Sequence, residues 1–223
     1  MTPLLLDLDG TLVDSKRDLA RGVNLLLAEH NLPPLPVEIV VGFVGRGARS
    51  LIRRSLDHAD PTGKVGRDEN ILRRFLGHYE QVMLETTIPF PGVMEGLTRL
   101  HDAGVPLAIV SNKPEGPTRS ISDALGLTRY FGAILGGDST PQKKPSAMPL
   151  ERAALELAVP LASCVMVGDS DVDIQAAHAA GVPGIWCSWG GIHLDQPKAV
   201  DTIATSFIEV VEVGLNGPLK LTR

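Results

Sequence analysis

Two acidic residues follow an apolar run near the start of the chain in a spacing that suits catalysis. The run Leu4–Leu6 leads directly into Asp7, and Asp9 comes two positions later, in the segment DLDGTLVDS. In an extended chain, residues two apart point to the same side, so both carboxylates can face one reacting centre. One carboxylate can attack phosphorus and form an aspartyl-phosphate. The other can protonate the leaving oxygen and later activate water.

Three further groups of polar residues follow predicted strands. They are Ser111–Lys113, Lys143–Lys144 and Gly168–Asp173. Carboxylates, a backbone carbonyl and water are typical ligands of Mg²⁺, and a lysine with a hydroxyl supplies donors to a phosphate. Each group alone is what an ordinary turn contains. Their occurrence together on one side of a sheet favours a phosphate site that also binds Mg²⁺.

The alternation of short apolar runs with helical patterns predicts the sheet that positions these groups. The predicted strands are Leu4–Leu6, Val105–Val110, Gly132–Leu135, Cys164–Val167, Gly184–Cys187 and Thr202–Ala204. The helices predicted between them are Thr118–Gly126, Pro149–Ala158 and Asp171–Ala180. This order is typical of an α/β fold with a doubly wound, mostly parallel, Rossmann-like sheet. In such sheets, ligands bind beyond the carboxyl ends of the strands, where the polar groups fall.

A helical segment interrupts the sheet after its first strand. Apolar residues at helical spacing predict helices over Asp18–Glu29, Ala48–Ala59 and Asp68–Met83. We therefore expect a core domain formed by residues 1–14 and 85–223. Residues 15–84, called the insert below, are expected to form a helical cap domain.

Composition narrows the class of protein. The chain has 223 residues, 43% of them hydrophobic, and a formal net charge of −5 without a long basic run. This argues against nucleic acid or an anionic membrane as a partner. No apolar stretch approaches the roughly 20 residues of a membrane span. Cys164 and Cys187 lie in apolar surroundings and are interpreted as buried free thiols, which favours a cytoplasmic location.

The polar motifs together resemble one family. The segment DLDGTLVDS resembles the signature of the haloacid-dehalogenase superfamily of phosphohydrolases. SNK, KKP and GDSDVD are similar to the remaining family motifs and occur in the family's order, over nearly the whole chain. The insert is similar to the α-helical cap that the family carries at this point. Among subfamilies, GGDSTPQKKPSAMPL and VGRG are most similar to phosphoglycolate phosphatases.

The resemblance implies a role for each catalytic residue. Asp7 matches the nucleophile, and Asp9 matches the general acid and base. Ser111, with Asn112 beside it, matches the hydroxyl that holds the transferring phosphoryl group. Lys144, in preference to its neighbour in the KKP motif, matches the lysine that neutralises nucleophile and phosphate.

The resemblance also implies a metal site. Asp7, the backbone carbonyl of Asp9 and Asp169 match the ligands of Mg²⁺, and Asp173 matches an acid that supports the metal's water shell. Gly10 and Thr11 match a turn whose backbone amides reach the phosphate.

One residue of the insert is a candidate for substrate recognition. Arg46 lies between two glycines in GFVGRGARS, just before a predicted helix. A guanidinium there can clamp a carboxylate with two hydrogen bonds. Phosphoglycolate carries a carboxylate at the end opposite its phosphate. Arg49 is the second candidate for this contact.

The sequence thus predicts a Mg²⁺-dependent phosphomonoester hydrolase that acts on a small phosphate ester through an aspartyl-phosphate, with phosphoglycolate as the expected substrate. Alternatives that share the motifs are a β-phosphoglucomutase-like enzyme, a phosphatase of sugar or amino-sugar phosphates, and a pyrophosphatase. An alternative of a different class is a non-catalytic switch that keeps its aspartyl-phosphate.

Overall fold

The computed structural model describes residues 1–65, 69–190 and 200–217. The strands, in chain order, are β1 (Leu4–Leu6), β2 (Val13–Asp14), β3 (Ile88–Pro89), β4 (Leu107–Val110), β5 (Ala133–Leu135), β6 (Val165–Gly168), β7 (Gly184–Cys187) and β8 (Thr202–Ala204). Within the described ranges, six strands form one sheet in the order β5–β4–β1–β6–β7–β8. Every pairing in this sheet is parallel, which confirms the predicted fold class.

Helices cover both faces of the sheet. The helices, in chain order, are α1 (Lys16–Glu29), α2 (Val37–Val41), α3 (Ala48–Ala59), α4 (Glu69–Val82), α5 (Val93–Asp102), α6 (Glu115–Ala124), α7 (Met148–Glu156), α8 (Asp171–Ala179) and α9 (Phe207–Asn216). Alternate residues of β1 show why both faces need covering. Leu4 and Leu6 belong to one apolar cluster with residues of α5 and α9, and Leu5 belongs to another with residues of α7 and α8. Fully burying such a leucine stabilises the fold by about 1.5–3 kcal/mol.

The two ends of the insert are joined to each other. The residues that lead into it form β2, and the residues that leave it form β3, and these two strands pair antiparallel. Beside them, the buried carboxylate of Asp18 on α1 accepts hydrogen bonds from the backbone amides and hydroxyls of Thr86 and Thr87. A carboxylate with this many donors keeps its charge although it is buried. The chain therefore enters and leaves the insert through one hydrogen-bonded connection. This connection, called the neck of the insert, consists of β2, β3 and the contacts of Asp18 with Thr86 and Thr87.

The helices of the insert pack around α1, with α4 lying along it. Their contact is close at Gly22, where an added Cβ would lie 3.1 Å from the ring of Tyr79 on α4. Tyr79 is buried and stacks on Phe75, with ring centroids 5.7 Å apart. This packing fixes the direction of the Tyr79 side chain.

Some elements were not predicted. Helix α5 has buried apolar residues at Val93, Leu97 and Leu100, a helical spacing that the sequence shows. Helix α9 has the segment FIEVVEVGLN, whose β-branched residues favour a strand. It is a helix because Val210, Val211 and Val213 are buried against the core, and tertiary packing outweighs local preference.

Both cysteines are buried and form no disulfide, as predicted. Among the described helices, none has the length and apolar character that crossing a bilayer requires.

Candidate active site

The carboxyl ends of three neighbouring strands bring the predicted residues together. Strand β1 lies between β4 and β6, with Leu6 in register with Ile109 and with Val167. The residues that follow these strands therefore meet at one edge of the sheet. Together with parts of the insert, they line a cleft that is open to solvent. The residues from the sheet edge that line it are Asp7, Asp9, Ser111, Asn112, Lys113 and Asp169.

Lys144 lies at the base of this site and is only 2% exposed. Its Nζ donates hydrogen bonds to the carbonyl of Val110 at 2.6 Å and to Asp173 Oδ1 at 2.6 Å, and lies 3.0 Å from Asp7 Oδ1. Burial lowers the pKa of Lys144, but Asp173 and Asp7 outweigh burial and raise it overall. The side chain is therefore a fixed ammonium beside Asp7, and its neutralisation of a phosphate stays a prediction.

Asp7, Asp169 and Asp173 form a cluster of buried carboxylates. One oxygen from each lies within 4.8 Å of the others. Burial raises the pKa of Asp7 to about 6, against the opposing charge of Lys144. Burial and the charges of Asp173 and Asp7 raise the pKa of Asp169 as well. Three buried carboxylates facing one ammonium leave a surplus of negative charge that a divalent cation would neutralise.

An unpartnered atom supports this interpretation. Asp169 Oδ2 is buried and accepts no hydrogen bond from any described residue. Buried carboxylate oxygens are seldom left without a partner, so the donor set fits a metal ion of the oxygen-binding kind.

Asp173 differs from the other two acids because both of its oxygens are occupied. Oδ1 accepts from Lys144, and Oδ2 accepts from the amide and the hydroxyl of Ser170 at 3.1 and 2.6 Å. The bond from the Ser170 amide is one half of a capping box at the start of α8. Asp173 thus orients Lys144 and α8, which suits the supporting role that the resemblance implies.

Asp9 is held by donors on both of its carboxylate oxygens. The hydroxyl of Ser15, the first residue of the insert, donates to Oδ1. The ammonium of Lys113 lies 3.0 Å from Oδ2. Sequence reasoning predicted Asp9 but assigned neither of these partners.

A tight turn separates Asp9 from the rest of its motif. Gly10 has φ of +83°, and a Cβ there would lie 2.1 Å from Asp169 Oδ2, so a side chain at this position would clash with the acid cluster. The amides of Gly10 and Thr11 donate within the turn, to the carbonyls of Val13 and Leu8. The predicted contact of these amides with a phosphate stays a prediction.

Asn112 connects the sheet edge to the insert. Its side-chain amide donates to the carbonyl of Gly45 and to the carbonyl of Lys144, both at 2.9 Å. Its oxygen is buried without a hydrogen-bond partner in the described structure. The amide therefore fixes the glycine-rich turn of the insert at the mouth of the cleft.

The side of the cleft that the insert supplies is mainly apolar. The cleft and the open space at its entrance together measure about 570 Å³. The residues of the insert that line the cleft are Leu19, Val44, Gly45, Gly47, Ala48, Leu51, Phe75, Leu76 and Tyr79. Arg46 lies between two lining glycines, but its own side chain is 57% exposed and pairs with Asp171 at 3.4 Å. Its backbone carbonyl accepts a hydrogen bond from Lys143 Nζ at 2.6 Å. The structure thus places the Arg46 guanidinium outside the cleft lining, and its contact with substrate stays a prediction, as does that of Arg49.

Comparison with known proteins identifies the family of this chain. Residues 4–187 match the model of the haloacid dehalogenase-like hydrolases. The chain belongs to this family. A phosphoglycolate phosphatase of Caulobacter vibrioides is 37% identical over 215 residues, covering 90% of this chain and 91% of the relative. One of Neisseria meningitidis is 40% identical over 212 residues, covering 92% and 90%.

A solved structure gives the same result at the level of the fold. The crystal structure described as a predicted phosphoglycolate phosphatase from Haemophilus somnus superposes with a TM-score of 0.88 at 31% identity, covering 96% of this chain and 97% of that one. The predictions of a phosphoric monoester hydrolase of the haloacid-dehalogenase type, most similar to phosphoglycolate phosphatases, are therefore confirmed.

Proposed function

We propose that this protein is a Mg²⁺-dependent phosphatase that hydrolyses phosphoglycolate through an aspartyl-phosphate on Asp7. The observation that carries the proposal is the position of Asp7, 3.0 Å from the buried ammonium of Lys144 and in the same cleft as Asp9. One carboxylate is thereby supported as a nucleophile, and a second is held close by as an acid and base.

Two acids of the buried cluster would hold the metal in this proposal. Asp7 and Asp169 would bind Mg²⁺ together with the backbone carbonyl of Asp9, and Asp173, which holds Lys144, would support the site. When bound, the ion would offset the negative charge on the phosphoryl oxygens.

In the first step, a carboxylate oxygen of Asp7 attacks phosphorus, and the ester P–O bond breaks. Asp9 gives its proton to the leaving alkoxide, so the alcohol departs neutral at that oxygen. Lys144 and the hydroxyl of Ser111 hold the phosphoryl oxygens. In the second step, Asp9 takes a proton from water, the water oxygen attacks phosphorus, and the bond to Asp7 breaks. The products are inorganic phosphate and the regenerated carboxylate.

The insert acts as a cap in this mechanism. We propose the division that the sequence predicts, with residues 1–14 and 85–223 as the core and 15–84 as the cap. Its apolar surface over the cleft would exclude bulk water during phosphoryl transfer and open for product release. A cytoplasmic location is also retained as a prediction.

The choice of phosphoglycolate is supported by the names of the relatives, at 37% and 40% identity over nine-tenths of the chain. The core motifs contact only the phosphoryl group and are equally compatible with sugar phosphates or pyrophosphate. Discrimination between them must come from the side of the cleft that the insert forms.

A screen of phosphate release over about a hundred phosphate esters with Mg²⁺ tests this function. We expect phosphoglycolate to give the highest kcat/KM and Asp7→Asn to give none. A preference for a sugar phosphate or for pyrophosphate would replace the substrate but keep the mechanism. A phosphorylated wild-type protein that persists in Mg²⁺ buffer without turnover would favour the switch and overturn the enzyme.

A further inference from the structure

Lys113 lies in a buried position between the insert and Asp9, the proposed general acid and base. It follows Ser111 and Asn112 in the SNK motif, and its side chain has no part in the mechanism above. The residue is 7% exposed. Its Nζ lies 3.0 Å from Asp9 Oδ2 and donates to the hydroxyl of Tyr79 at 2.9 Å.

A buried ammonium is costly to the fold unless its partners compensate for lost hydration. Here Asp9 supplies the opposite charge, and Tyr79 supplies both its hydroxyl and the face of its ring, whose centroid is 4.5 Å from Nζ. A cation over an aromatic face is attracted to it. Both partners of Lys113 are thus directed contacts; Asp9 follows strand β1, and Tyr79 belongs to the insert.

The consequence for Asp9 is geometric. In the ionised form of Asp9, Ser15 on Oδ1 and Lys113 on Oδ2 give both carboxylate oxygens a donor. When Asp9 carries the proton for the leaving alkoxide, the oxygen without the proton keeps its donor. A carboxylate held at both oxygens cannot rotate freely about its Cβ–Cγ bond. Proton transfer requires the donor and acceptor atoms to be within hydrogen-bond reach, so a fixed direction matters for catalysis.

The position of Lys113 in turn depends on the insert. Tyr79 is on α4, is buried, and is fixed by its stack on Phe75 and its close approach to Gly22. The chain Asp9–Lys113–Tyr79 therefore connects the acid and base to the packed interior of the insert.

We propose that Lys113 is a positioning residue for Asp9, and that Tyr79 anchors Lys113 from the insert so that a contact from the insert helps to aim Asp9 at the leaving group. This inference rests on the proposed function, which makes Asp9 the acid and base. Lys113 acts through Asp9 and not by binding the organic part of the substrate.

The test compares leaving groups. p-Nitrophenolate departs without a proton, whereas an alkoxide needs one, so misplacing the acid harms only alkyl esters. The substrates are phosphoglycolate, ethyl phosphate and p-nitrophenyl phosphate, and the measured quantity is kcat/KM, which reports steps up to departure of the alcohol. The variants are Lys113→Met, Lys113→Arg, Tyr79→Phe and Asp9→Asn. Lys64→Met, which removes an exposed ammonium of the insert, is the matched control.

We expect Lys113→Met to lower kcat/KM for both alkyl phosphates about 100-fold, the lower end of the range for acid–base help. The value for p-nitrophenyl phosphate should fall less than about fivefold. Lys113→Arg should have a kcat/KM for the alkyl phosphates at least about tenfold higher than that of Lys113→Met. Tyr79→Phe should lower kcat/KM for the alkyl phosphates about three- to tenfold, with the same selectivity for alkyl esters. Lys64→Met should match wild type on all three substrates.

Three results would overturn the inference. Equal losses on all substrates would give Lys113 a structural role. A loss on phosphoglycolate without a loss on ethyl phosphate would make it a carboxylate receptor. Wild-type kinetics for Lys113→Met, while Asp9→Asn shows the alkyl-selective loss, would refute positioning and leave the proposed function intact.

Failure of the proposed function has a separate signature, since wild type would then release phosphate from none of the esters. Thermal unfolding of each variant checks that it folds. If Lys113→Met does not fold, Lys113→Arg and Tyr79→Phe decide the matter: unchanged kinetics for Tyr79→Phe would overturn the role of the insert.

Discussion

The Lys144 ammonium lies 3.0 Å from Asp7 Oδ1, in a position almost closed to solvent. A buried carboxylate whose pKa is raised to about 6 depends on this cation for its ionised form. Because an ionised carboxylate is the nucleophile, the ion pair connects the charge balance of the site to its reactivity.

We predict that Asp7→Asn abolishes turnover and leaves the fold intact. The amide has nearly the shape of the carboxylate but is far less nucleophilic, and Lys144 keeps its contacts with Asp173 and Val110. Phosphate release and thermal unfolding measure the two effects. Asp102→Asn, on an exposed position of α5, is the control and should keep wild-type activity. Activity of Asp7→Asn within about tenfold of wild type would rule out the covalent mechanism.

We predict that Mg²⁺ supports activity and that Ca²⁺ inhibits it. Mg²⁺ prefers octahedral geometry, whereas Ca²⁺ takes about 6–8 oxygen ligands and tolerates a carboxylate that binds through both oxygens. Asp7 must keep one oxygen free to attack phosphorus, so an ion that takes both blocks the nucleophile. Chelator-treated protein assayed with each ion alone and with both in competition gives the answer. Equal rates with the two ions would show that Asp7 does not serve as both ligand and nucleophile.

We predict that the neck of the insert loses a pH-dependent part of its stability when Asp18 is replaced by Asn. Burial raises the pKa of Asp18, but the hydrogen bonds from Thr86 and Thr87 outweigh burial and leave it below the ordinary value of 3.8. A carboxylate with a lowered pKa in the folded state stabilises the protein above its unfolded pKa, and this contribution is lost as the pH falls through the folded pKa. At neutral pH, Asp18→Asn should cost about 2 kcal/mol or more, because an amide NH₂ then faces buried donors.

Thermal unfolding of wild type and Asp18→Asn between about pH 7 and pH 3 measures this difference. The gap in Tm should be largest near neutral pH and should narrow below about pH 4. A gap that stays constant over this range would show that the charge of Asp18 contributes nothing and that only its shape matters.

The predictable part of the site is the part that local sequence encodes. Asp7, Ser111 and Asp169 each come directly after an apolar strand, and Asp9 follows Asp7 by two positions. Parallel strands must bring their carboxyl ends to one edge. The sheet follows from the same signal, because runs such as LLL at β1 are apolar on both faces.

The contacts that sequence reasoning did not assign join residues far apart in the chain. Lys113 and Tyr79 are 34 positions apart, and Asn112 reaches Gly45 across 67. No periodicity encodes such pairs, since they depend on how the insert lies over the sheet. The KKP motif shows the same division: pattern reasoning favoured Lys144, but only the fold shows Lys143 contacting the backbone of Arg46.

The last prediction concerns Arg46, the expected contact for the carboxylate of phosphoglycolate. As a carboxylate clamp, Arg46→Ala should lower kcat/KM for phosphoglycolate about 10- to 100-fold and change that for p-nitrophenyl phosphate less than about threefold. In the structure, however, its guanidinium pairs with Asp171 at 3.4 Å, so it must leave that partner to reach a substrate. Exposed pairs of this kind contribute little, about 0–1 kcal/mol, which makes such an exchange inexpensive.

The matched variant is Asp171→Asn, which releases Arg46 without removing it. We expect it to keep wild-type activity on p-nitrophenyl phosphate and to leave or slightly improve KM for phosphoglycolate, because the competing carboxylate has lost its charge. Equal losses on both substrates in both variants would instead show that the pair holds the insert against α8 and has no part in specificity. Wild-type kinetics for Arg46→Ala would make Arg46 an ordinary solvated arginine, and phosphoglycolate selectivity would then have to come from another polar group that lines the cleft, such as Asn112.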